Sequence, residues 1–514
     1  METEQPQSTF RKTSSTAIIQ TSQAFDVSDK QNYGADVTTD RSGEIFKRLM
    51  FKFYQQLDSL CGTPSYFLLN RPDDFFDHPW QEIFRMLLSK NLIDDFFPVN
   101  MRYNDCPFFY RIDLVPHYES GSTDGKKMES AFGHGFDKNA ETAFLKAIGE
   151  FFERYFLTLY HRKDLLRSSQ KALQKKKNLV ADLNLFAGFS DEQKKLFPRR
   201  QFNEDSIFYW GKAKRWSTGE TVYLPAQFLY WNYTRGEGEP SLCEGNTNGA
   251  GGFSTQEGAI LAGLYELIQR DSFLIYWLNR LTPRLIDPHT IPNEDFKNLL
   301  EESERYGFKI YCLNITTDIK VPSFAVIISD SSGIGPRFCL GAGCQADPLK
   351  ALYRALQEAW SVYYWMRYRP PYPALDRNFE PFQEKIRQDE RLRLWSNPEM
   401  ARHLEFFISG KRESFAEISF DYPEKFESSK KELDFLVNRL ENMGPGYEVY
   451  YYQASHQILS QVGYYAVQVI VPQLLSLYLA EFNAPLGSSR IKKVPEKMGF
   501  SPSQEINPLP HLFP

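Results

Sequence analysis

The chain lacks the residues and motifs that define several common protein classes. It has 6 cysteines in 514 residues and no C-x-x-C pair, which excludes a disulfide framework or a zinc site of familiar spacing. It also has no G-x-x-x-x-G-K-[ST] phosphate loop, no strand-anchored G-x-G-x-x-G and no H-E-x-x-H, so a nucleotide site would have to be built in another way. An excess of positive charge is missing too. The 60 Lys and Arg against 65 Asp and Glu give a net charge of −5, which argues against nucleic-acid binding.

Signals for export or membrane insertion are also missing. Residues 1–20 lack the basic-then-apolar order of a secretory signal, which predicts a cytoplasmic protein. The longest apolar stretch, 462–482, contains Gln468, Pro472 and Glu481, so no membrane span is expected. Because 42% of the residues are hydrophobic and 15% aromatic, the chain can bury a large core.

The pattern along the chain predicts four regions. Residues 1–43 are rich in Ser, Thr, Gln and Asp and are expected to be a disordered tail, and residues 44–115 read as a small helical N-terminal module. In residues 116–500, predicted as one large domain, strand-like runs alternate with the helical segments 142–162, 256–280, 347–367 and 428–442. This mixture predicts an α+β (mixed α/β) fold, and no tandem repeat is apparent. Residues 501–514 predict a stiff, proline-rich arm, and its last five residues, 510–514, are expected to bury little area.

Charged residues form a narrow stripe on the otherwise apolar segment 142–162. Lys146, Glu150, Glu153 and Arg154 fall within an arc of roughly 100° at helical spacing. Such a pattern is ordinarily the solvated face of a surface helix. Here apolar residues surround the stripe, so the helix should be largely buried and its charges should need partners.

The segments 256–280 and 347–367 show a similar arrangement. The first of them carries Glu266, Gln269 and Arg270 within a comparable arc. The second carries Arg354 and Glu358 at i and i+4, where they could simply pair on a surface. The competing interpretation of that pair is therefore an ordinary ion pair.

A glycine-dense loop, residues 244–252, precedes the second of these helices. Its backbone N–H groups would be able to approach phosphate oxygens, and Asn246, Thr247 and Asn248 would add side-chain hydrogen bonds, although a plain flexible turn would look the same. If the three helices converge, several carboxylate or amide oxygens lie beside several guanidiniums. Mg²⁺ would hold the carboxylates together, and the guanidiniums suit triphosphate oxygens. We therefore predict a Mg-nucleotide site without a phosphate loop.

At these residues the chain resembles the YcaO superfamily, whose nucleotide site is assembled from helices of the S-x-x-x-E-x-x-E-R and E-x-x-E-R-D kinds. The resemblance covers about residues 115–514 and includes Gly133-His-Gly135, the loop residues 247–249 and the run GAGCQADPLKALYRALQE. The chain departs from the usual family residues at four positions. Lys146 stands where Ser is usual and Gln269 where Glu is usual, while Phe253 replaces a usual Gly and Ser361 a usual Gln. Gln269 keeps an oxygen donor but loses a charge, which weakens its assignment as a metal ligand.

The resemblance implies a YcaO-type fold with ATP and Mg²⁺ as cofactors, and it implies that residues 116–500 are the catalytic domain. The implied metal ligands are Glu150, Glu153, Glu266 and Gln269. The implied nucleotide-binding residues are Lys146, Arg154, Asn246, Thr247, Asn248, Arg270, Arg354 and Glu358. The family chemistry is ATP-dependent activation of a peptide amide: a nucleophile attacks the carbonyl, ATP phosphorylates the resulting oxyanion, and phosphate leaves. In azoline-forming members the nucleophile is a Cys, Ser or Thr side chain of the substrate, and the product is a thiazoline or oxazoline.

The end of the chain favours the azoline-forming members. These resemble one another in ending with a P-x-P-x-P type arm, and this chain ends Pro508-Leu-Pro510-His-Leu512-Phe-Pro514. The resemblance implies catalytic roles for Pro510 and Pro514 together with Arg354. A stiff arm would lose little entropy on docking beside the site, although a disordered terminus that happens to contain prolines is the competing interpretation.

Partners follow from the same resemblance. Azoline-forming members need an E1-like (ThiF-like) leader-peptide-binding partner, and residues 44–115 are too few for that fold, so a separate partner protein is expected besides the precursor peptide. A homodimer is left open. The expected function is an ATP-dependent cyclodehydratase of a ribosomal peptide natural-product pathway. One alternative is a YcaO enzyme that uses sulfide or an amine to form a thioamide or amidine, which the proline arm disfavours. Another is a degenerate, non-catalytic scaffold, for which Gln269 and Ser361 are the best support.

Overall fold

The computed structural model of the chain describes residues 83, 86–90, 92–99, 109–116, 133–332, 335–367, 380–423, 425–501 and 503–513. The predicted disordered tail, 1–43, lies outside these residues, as do most of 44–115 and Pro514. Within the described ranges no helix is long and apolar enough to cross a bilayer.

A three-stranded antiparallel sheet begins the described part of the chain. Its strands, in the spatial order β1-β2-β3, are Ile93–Val99, Tyr110–Pro116 and Gly133–Asp137. The predicted helical character of residues 44–115 is therefore wrong for the strand β1. A short apolar run fits a helix or a strand equally well in the sequence, and the pairing with β2 decides between them.

Two larger sheets carry most of the remaining strands. The second sheet has the order β4-β5-β13-β14-β7, with β6 also paired to β5, and the third has the order β11-β10-β9-β8-β12. The paired strands are antiparallel except for β12 and β8. Their bounds are Leu166–Ser169 (β4), Ile207–Arg215 (β5), Thr221–Pro225 (β6), Ala250–Phe253 (β7), Arg284–Ile286 (β8), Lys309–Asn314 (β9), Ser323–Ser329 (β10), Phe338–Cys344 (β11), Arg412–Glu413 (β12), Tyr450–Gln453 (β13) and Tyr465–Ile470 (β14).

Three long helices correspond to the three charged-stripe segments of the sequence. They are α1 (Ala140–Thr158), α4 (Gln256–Leu278) and α6 (Pro348–Arg367), and they confirm the mixed α+β prediction. Asn139 and Thr255 cap α1 and α4 by accepting hydrogen bonds from the first-turn backbone. The other α-helices are Gln170–Lys175 (α2), Asp191–Leu196 (α3), Glu294–Arg305 (α5), Gln388–Trp395 (α7), Ala401–Ile408 (α8), Ser429–Glu441 (α9), Gln457–Val462 (α10) and Arg490–Lys497 (α11).

The three long helices alternate with three edge strands in a closed ring. Helix α1 packs between β3 and β7, α4 between β7 and β11, and α6 between β11 and β3. Each of these strands lies at one end of its sheet. The ring therefore brings one face of each long helix and the edge strand of each sheet to a common interior.

Glycines allow each edge strand to lie directly on its helix. A Cβ at Gly135 would lie 1.6 Å from a backbone oxygen of α1, one at Gly251 would lie 2.2 Å from α4, and one at Gly343 would lie 2.0 Å from α6. The three contacts are equivalent, because the same number of residues separates each glycine from the alanine it meets, Ala143, Ala259 or Ala351. The structure thus repeats one strand–helix unit three times, although no tandem repeat is visible in the sequence.

The C-terminal arm is packed into the protein core. His511 and Leu512 are 0% exposed and Phe513 is 1% exposed, and the last two belong to the same core cluster as Trp395. The Trp395 indole donates a hydrogen bond to the Pro510 carbonyl over 3.0 Å. The expectation that the last residues bury little area is therefore wrong for Pro510 to Phe513, because the apolar residues between the prolines fill a groove beside α4 and α7.

Candidate active site

One glutamate of each long helix accepts a hydrogen bond from the backbone of the strand it faces. Glu150 on α1 accepts from the His134 N–H over 2.5 Å, and Glu358 on α6 accepts from the Ala342 N–H over 2.7 Å. Glu266 on α4 accepts from the N–H of Gly249, just before β7, over 2.8 Å. Each bond leaves one carboxylate oxygen for another partner. The ring geometry therefore fixes three carboxylates on the inner sides of the three helices.

The carboxyl groups of the three helices lie close enough for their charges to shift one another's pKa values. Burial, followed by the charges of Glu150 and Glu266, raises the pKa of Glu153 to about 8. Burial raises the pKa of Glu358 to about 7. The charge of Arg270 lowers this pKa, and the charge of Glu266 raises it. Carboxyl groups of α1, α4 and α6 thus influence one another, as the predicted convergence requires. A site that holds protons on carboxyl groups near neutral pH favours replacement of those protons by a cation.

Two arginines neutralise part of this charge from within the helices. Arg154 forms a 2.6 Å ion pair with Glu150, and Arg270 forms a 2.9 Å ion pair with Glu266. The side chain of Arg270 is 15% exposed, and its Nε has no hydrogen-bond partner in the described part of the chain.

Arg354 is different, because it makes no ion pair or hydrogen bond with any described residue. Its side chain is solvent-exposed, yet surrounding protein lowers its pKa by desolvation. Both properties together indicate a guanidinium inside a solvent-accessible cleft. An unpaired guanidinium in a cleft is suited to phosphate oxygens.

Lys146 and Gln269 occupy the margins of the carboxylate cluster. Lys146 is 44% exposed and forms a 2.7 Å ion pair with Asp137, whose carboxylate also accepts a 3.4 Å hydrogen bond from Gln357 of α6. Gln269 is half-buried, and its amide forms no hydrogen bond with the described residues. Its oxygen is therefore free to act as a ligand.

The glycine-dense loop is fixed by its asparagines. Asn246 and Asn248 each donate a side-chain hydrogen bond to the Leu477 carbonyl, over 2.8 and 2.6 Å. Asn246 also accepts from the Asn248 N–H, and Thr247 accepts from the Ala250 N–H through its backbone carbonyl. Gly249 has φ +80°, a conformation that few other residues adopt. These contacts hold the loop beside the carboxylate cluster, while the expected contacts of the asparagine side chains with phosphate stay a prediction.

The C-terminal arm reaches this cluster through Phe513. The Arg270 guanidinium lies over the Phe513 ring, 4.9 Å from its centroid, and the same ring packs against Phe273 at 5.2 Å. Pro510 is held at its carbonyl by the Trp395 indole, and a catalytic role for it stays a prediction. The sequence analysis missed Phe513, for which the only signal was an aromatic residue between prolines in the arm.

The cluster is not a preformed metal cage. In the described ranges no group of three or more His, Cys, Asp and Glu side chains is arranged to enclose a metal ion. A divalent cation would therefore be shared between the glutamates and other oxygen ligands, such as the phosphates of a nucleotide. The clustered carboxyl groups and the unpaired Arg354 fit such a charged complex of metal and nucleotide.

The fold and the site define a nucleotide-binding protein whose site is built on helices rather than on a phosphate loop. The family model described as "YcaO cyclodehydratase, ATP-ad Mg2+-binding" matches residues 133–475. The chain belongs to the YcaO family. ATP and Mg²⁺ are therefore its cofactors, as the sequence predicted.

Two curated relatives match part of the chain. An uncharacterized protein in the tfuA 3'region of Rhizobium leguminosarum bv. trifolii is 32% identical over 151 residues, which is 28% of this chain and 36% of the relative. An uncharacterized protein of Methanothermobacter thermautotrophicus is 31% identical over 150 residues, which is 29% of this chain and 39% of the relative. The match thus spans well under half the length of either relative.

Solved structures share the fold at low sequence identity. A "Heterocyclase in complex with substrate and Cofactor" is similar over 84% of this chain and 57% of its own, with a TM-score of 0.66 and 20% identity. "The structure of YcaO from Methanopyrus kandleri bound with AMPPCP and Mg2+" is similar over 77% and 91%, with a TM-score of 0.52 and 17% identity. A chain of the "E. coli Microcin synthetase McbBCD complex" is similar over 81% and 96%, with a TM-score of 0.51 and 13% identity.

Proposed function

We propose that the chain is the ATP-dependent cyclodehydratase of a ribosomal peptide pathway, and that it converts Cys, Ser or Thr residues of a precursor peptide to thiazolines or oxazolines. The observation that carries this proposal is the contact between the proline-rich arm and the site, in which Phe513 lies against Arg270. The arm is the feature in which the chain resembles azoline-forming enzymes. Because Phe513 of the arm contacts a candidate nucleotide-binding residue, the arm would help to position that residue.

The proposed reaction needs no nucleophile from the protein. A substrate side chain loses its S–H or O–H proton as it attacks the preceding amide carbonyl, and the oxyanion takes the γ-phosphoryl group of ATP with release of ADP. Loss of phosphate with the amide N–H proton then leaves a C=N bond. The amide oxygen thus departs in the phosphate. The described cysteines are consistent with this scheme, because burial raises the pKa of Cys243 and Cys344 to about 12 and keeps both as thiols.

The residues of the chain would bind and orient the nucleotide. Glu150, Glu153 and Glu266, with the oxygen of Gln269, would hold Mg²⁺, which neutralises phosphate charge when bound. Arg354 would bind phosphate oxygens directly, since no described carboxylate competes for it. Arg270 would present its remaining N–H groups to the nucleotide while Phe513 fixes the plane of its guanidinium.

We further propose a separate leader-binding partner protein and a cytoplasmic location. The microcin synthetase chain that shares this fold belongs to a multiprotein complex, which supports assembly with other proteins. The cytoplasm supplies the ATP that the proposed reaction consumes.

The test is to incubate the chain with Mg-ATP, a Cys/Ser/Thr-rich peptide encoded beside its gene, and the neighbouring E1-like protein. Mass spectrometry should show loss of one water per ring, located by fragmentation at Cys, Ser or Thr. A gain in mass from exchange of oxygen for sulfur, when sulfide is added, would instead identify thioamide formation. ATP binding without any change of the peptide under these conditions would favour a non-catalytic scaffold.

A further inference from the structure

Tyr464 places its hydroxyl group at the edge of the carboxylate cluster. A Cβ built on Gly252 would lie 2.3 Å from the Tyr464 hydroxyl oxygen and 2.7 Å from Glu153 Oε1. The phenol and the carboxylate therefore border the same small space between α1 and β7. No hydrogen bond joins the hydroxyl to another described residue, so it is free to bind a group in that space.

Two glycines make room for this hydroxyl. A Cβ at Gly149 of α1 would lie 2.8 Å from it, and the next nearest atom, the Tyr464 Cζ, would be 3.8 Å away. Among the described atoms, the Tyr464 hydroxyl alone would therefore clash with a methyl group at Gly149. Because glycine destabilises a helix interior relative to alanine, its position against one polar atom needs a reason.

The backbone holds Tyr464 firmly in place. Gly463 ends α10 with φ +63°, and the Tyr464 N–H donates a hydrogen bond to the Leu459 carbonyl over 3.0 Å. The ring then packs edge-on against Phe152 at 5.2 Å, one residue before Glu153. A protonated phenol is a hydrogen-bond donor to a carboxylate.

We propose that Tyr464 is a positioning residue of the metal site, and that its hydroxyl donates a hydrogen bond to the Glu153 carboxylate when a divalent cation is bound. This inference rests on the proposed function. Partners of metal-ligating carboxylates typically contribute about 10- to 100-fold to metal affinity.

The test is Mn²⁺ binding, followed by electron paramagnetic resonance, in the presence of the non-hydrolysable nucleotide AMPPCP. Tyr464→Phe should weaken Mn²⁺ binding by about tenfold or more, while AMPPCP binding in EDTA and the melting temperature stay close to wild type. The matched control is Tyr465→Phe, because that ring packs in a different core cluster, with Val467 and Val469. A purely structural role of Tyr464 would instead lower the melting temperature and change AMPPCP binding in EDTA.

Gly149→Ala gives an independent test through a double-mutant cycle. Alone it should weaken Mn²⁺ binding, because its methyl group displaces the hydroxyl. Added to Tyr464→Phe, it should have no further effect on Mn²⁺ binding. Equal Mn²⁺ affinity of wild type, Tyr464→Phe and Tyr465→Phe would overturn the inference. Failure of the wild-type chain to bind Mn²⁺ with AMPPCP would instead overturn the proposed site itself.

Discussion

The contact between Phe513 and Arg270 predicts that one aromatic ring in the C-terminal arm controls nucleotide turnover. Deleting residues 510–514 would not test this cleanly, since His511, Leu512 and Phe513 are buried. Even Phe513→Ala alone should cost about 3–5 kcal/mol of folding free energy, a large share of the roughly 5–15 kcal/mol available to a typical protein. We therefore expect the deletion to unfold or severely destabilise the chain.

Phe513→Leu separates the two effects. It keeps most of the apolar volume and should cost less than about 1.5 kcal/mol of stability. It removes the ring face beneath Arg270, an interaction worth about 2 kcal/mol when desolvated, so turnover should fall roughly 30-fold if the contact acts in the transition state.

The assay is peptide-dependent ADP release at saturating and limiting Mg-ATP, with thermal unfolding measured in parallel. Phe407→Leu is the matched control, because that ring is equally buried, also contacts Phe273 and belongs to the same core cluster. We expect similar melting temperatures for the two variants and a large rate loss only for Phe513→Leu. Equal activities would refute the idea that the arm positions Arg270.

Three further predictions concern the charges of the site. Glu266→Gln keeps an acceptor for the Gly249 N–H, so it should fold normally, yet Mg-ATP turnover should drop at least ~10-fold in the same ADP-release assay. Arg354→Met should raise the KM for ATP in steady-state kinetics without loss of thermal stability, because no described residue pairs with Arg354. In the metal-free protein, the raised pKa values of Glu153 (about 8) and Glu358 (about 7) favour the protonated, folded state, so stability should fall as pH rises from the ordinary carboxyl range through 8. Ionising Glu153 at pH 7 costs about 1.4 kcal/mol, so Mg-AMPPCP should bind more tightly as the pH rises to about 8, and binding should release protons. Calorimetry in buffers of different ionisation enthalpy would detect this proton release. Binding that is independent of pH and releases no protons would contradict the prediction.

The charged stripes are visible in the sequence, and the pairing of their residues was predictable because a charged residue on a buried, apolar helix needs a partner. The predicted segment 256–280 corresponds closely to α4, and the stripe residues Glu266 and Arg270 do pair with each other. The convergence of Glu153 and Glu266 was predicted only conditionally. Tertiary packing of the ring decides it, and helical periodicity cannot show which helices are neighbours.

Other features depended on contacts between distant parts of the chain. The prolines suggested a stiff arm, but a groove that accepts Leu512 and Phe513 exists only after α4 and α7 have packed. Tyr464 had no motif around it, since its position beside Glu153 arises from a turn far along the sequence. The repeated glycine-to-alanine spacing at Gly135, Gly251 and Gly343 was present in the sequence, yet it acquires meaning only when strands and helices are seen in contact.

The fate of the amide oxygen tests the central claim most directly. A precursor peptide that carries a heavy oxygen isotope in the amide carbonyl before a target Cys, Ser or Thr would be incubated with the chain, its partner protein and Mg-ATP. Amide phosphorylation predicts that the released phosphate contains one labelled oxygen for each ring formed. Ring formation that leaves the phosphate unlabelled, with the heavy oxygen released as water, would contradict activation of the amide by ATP.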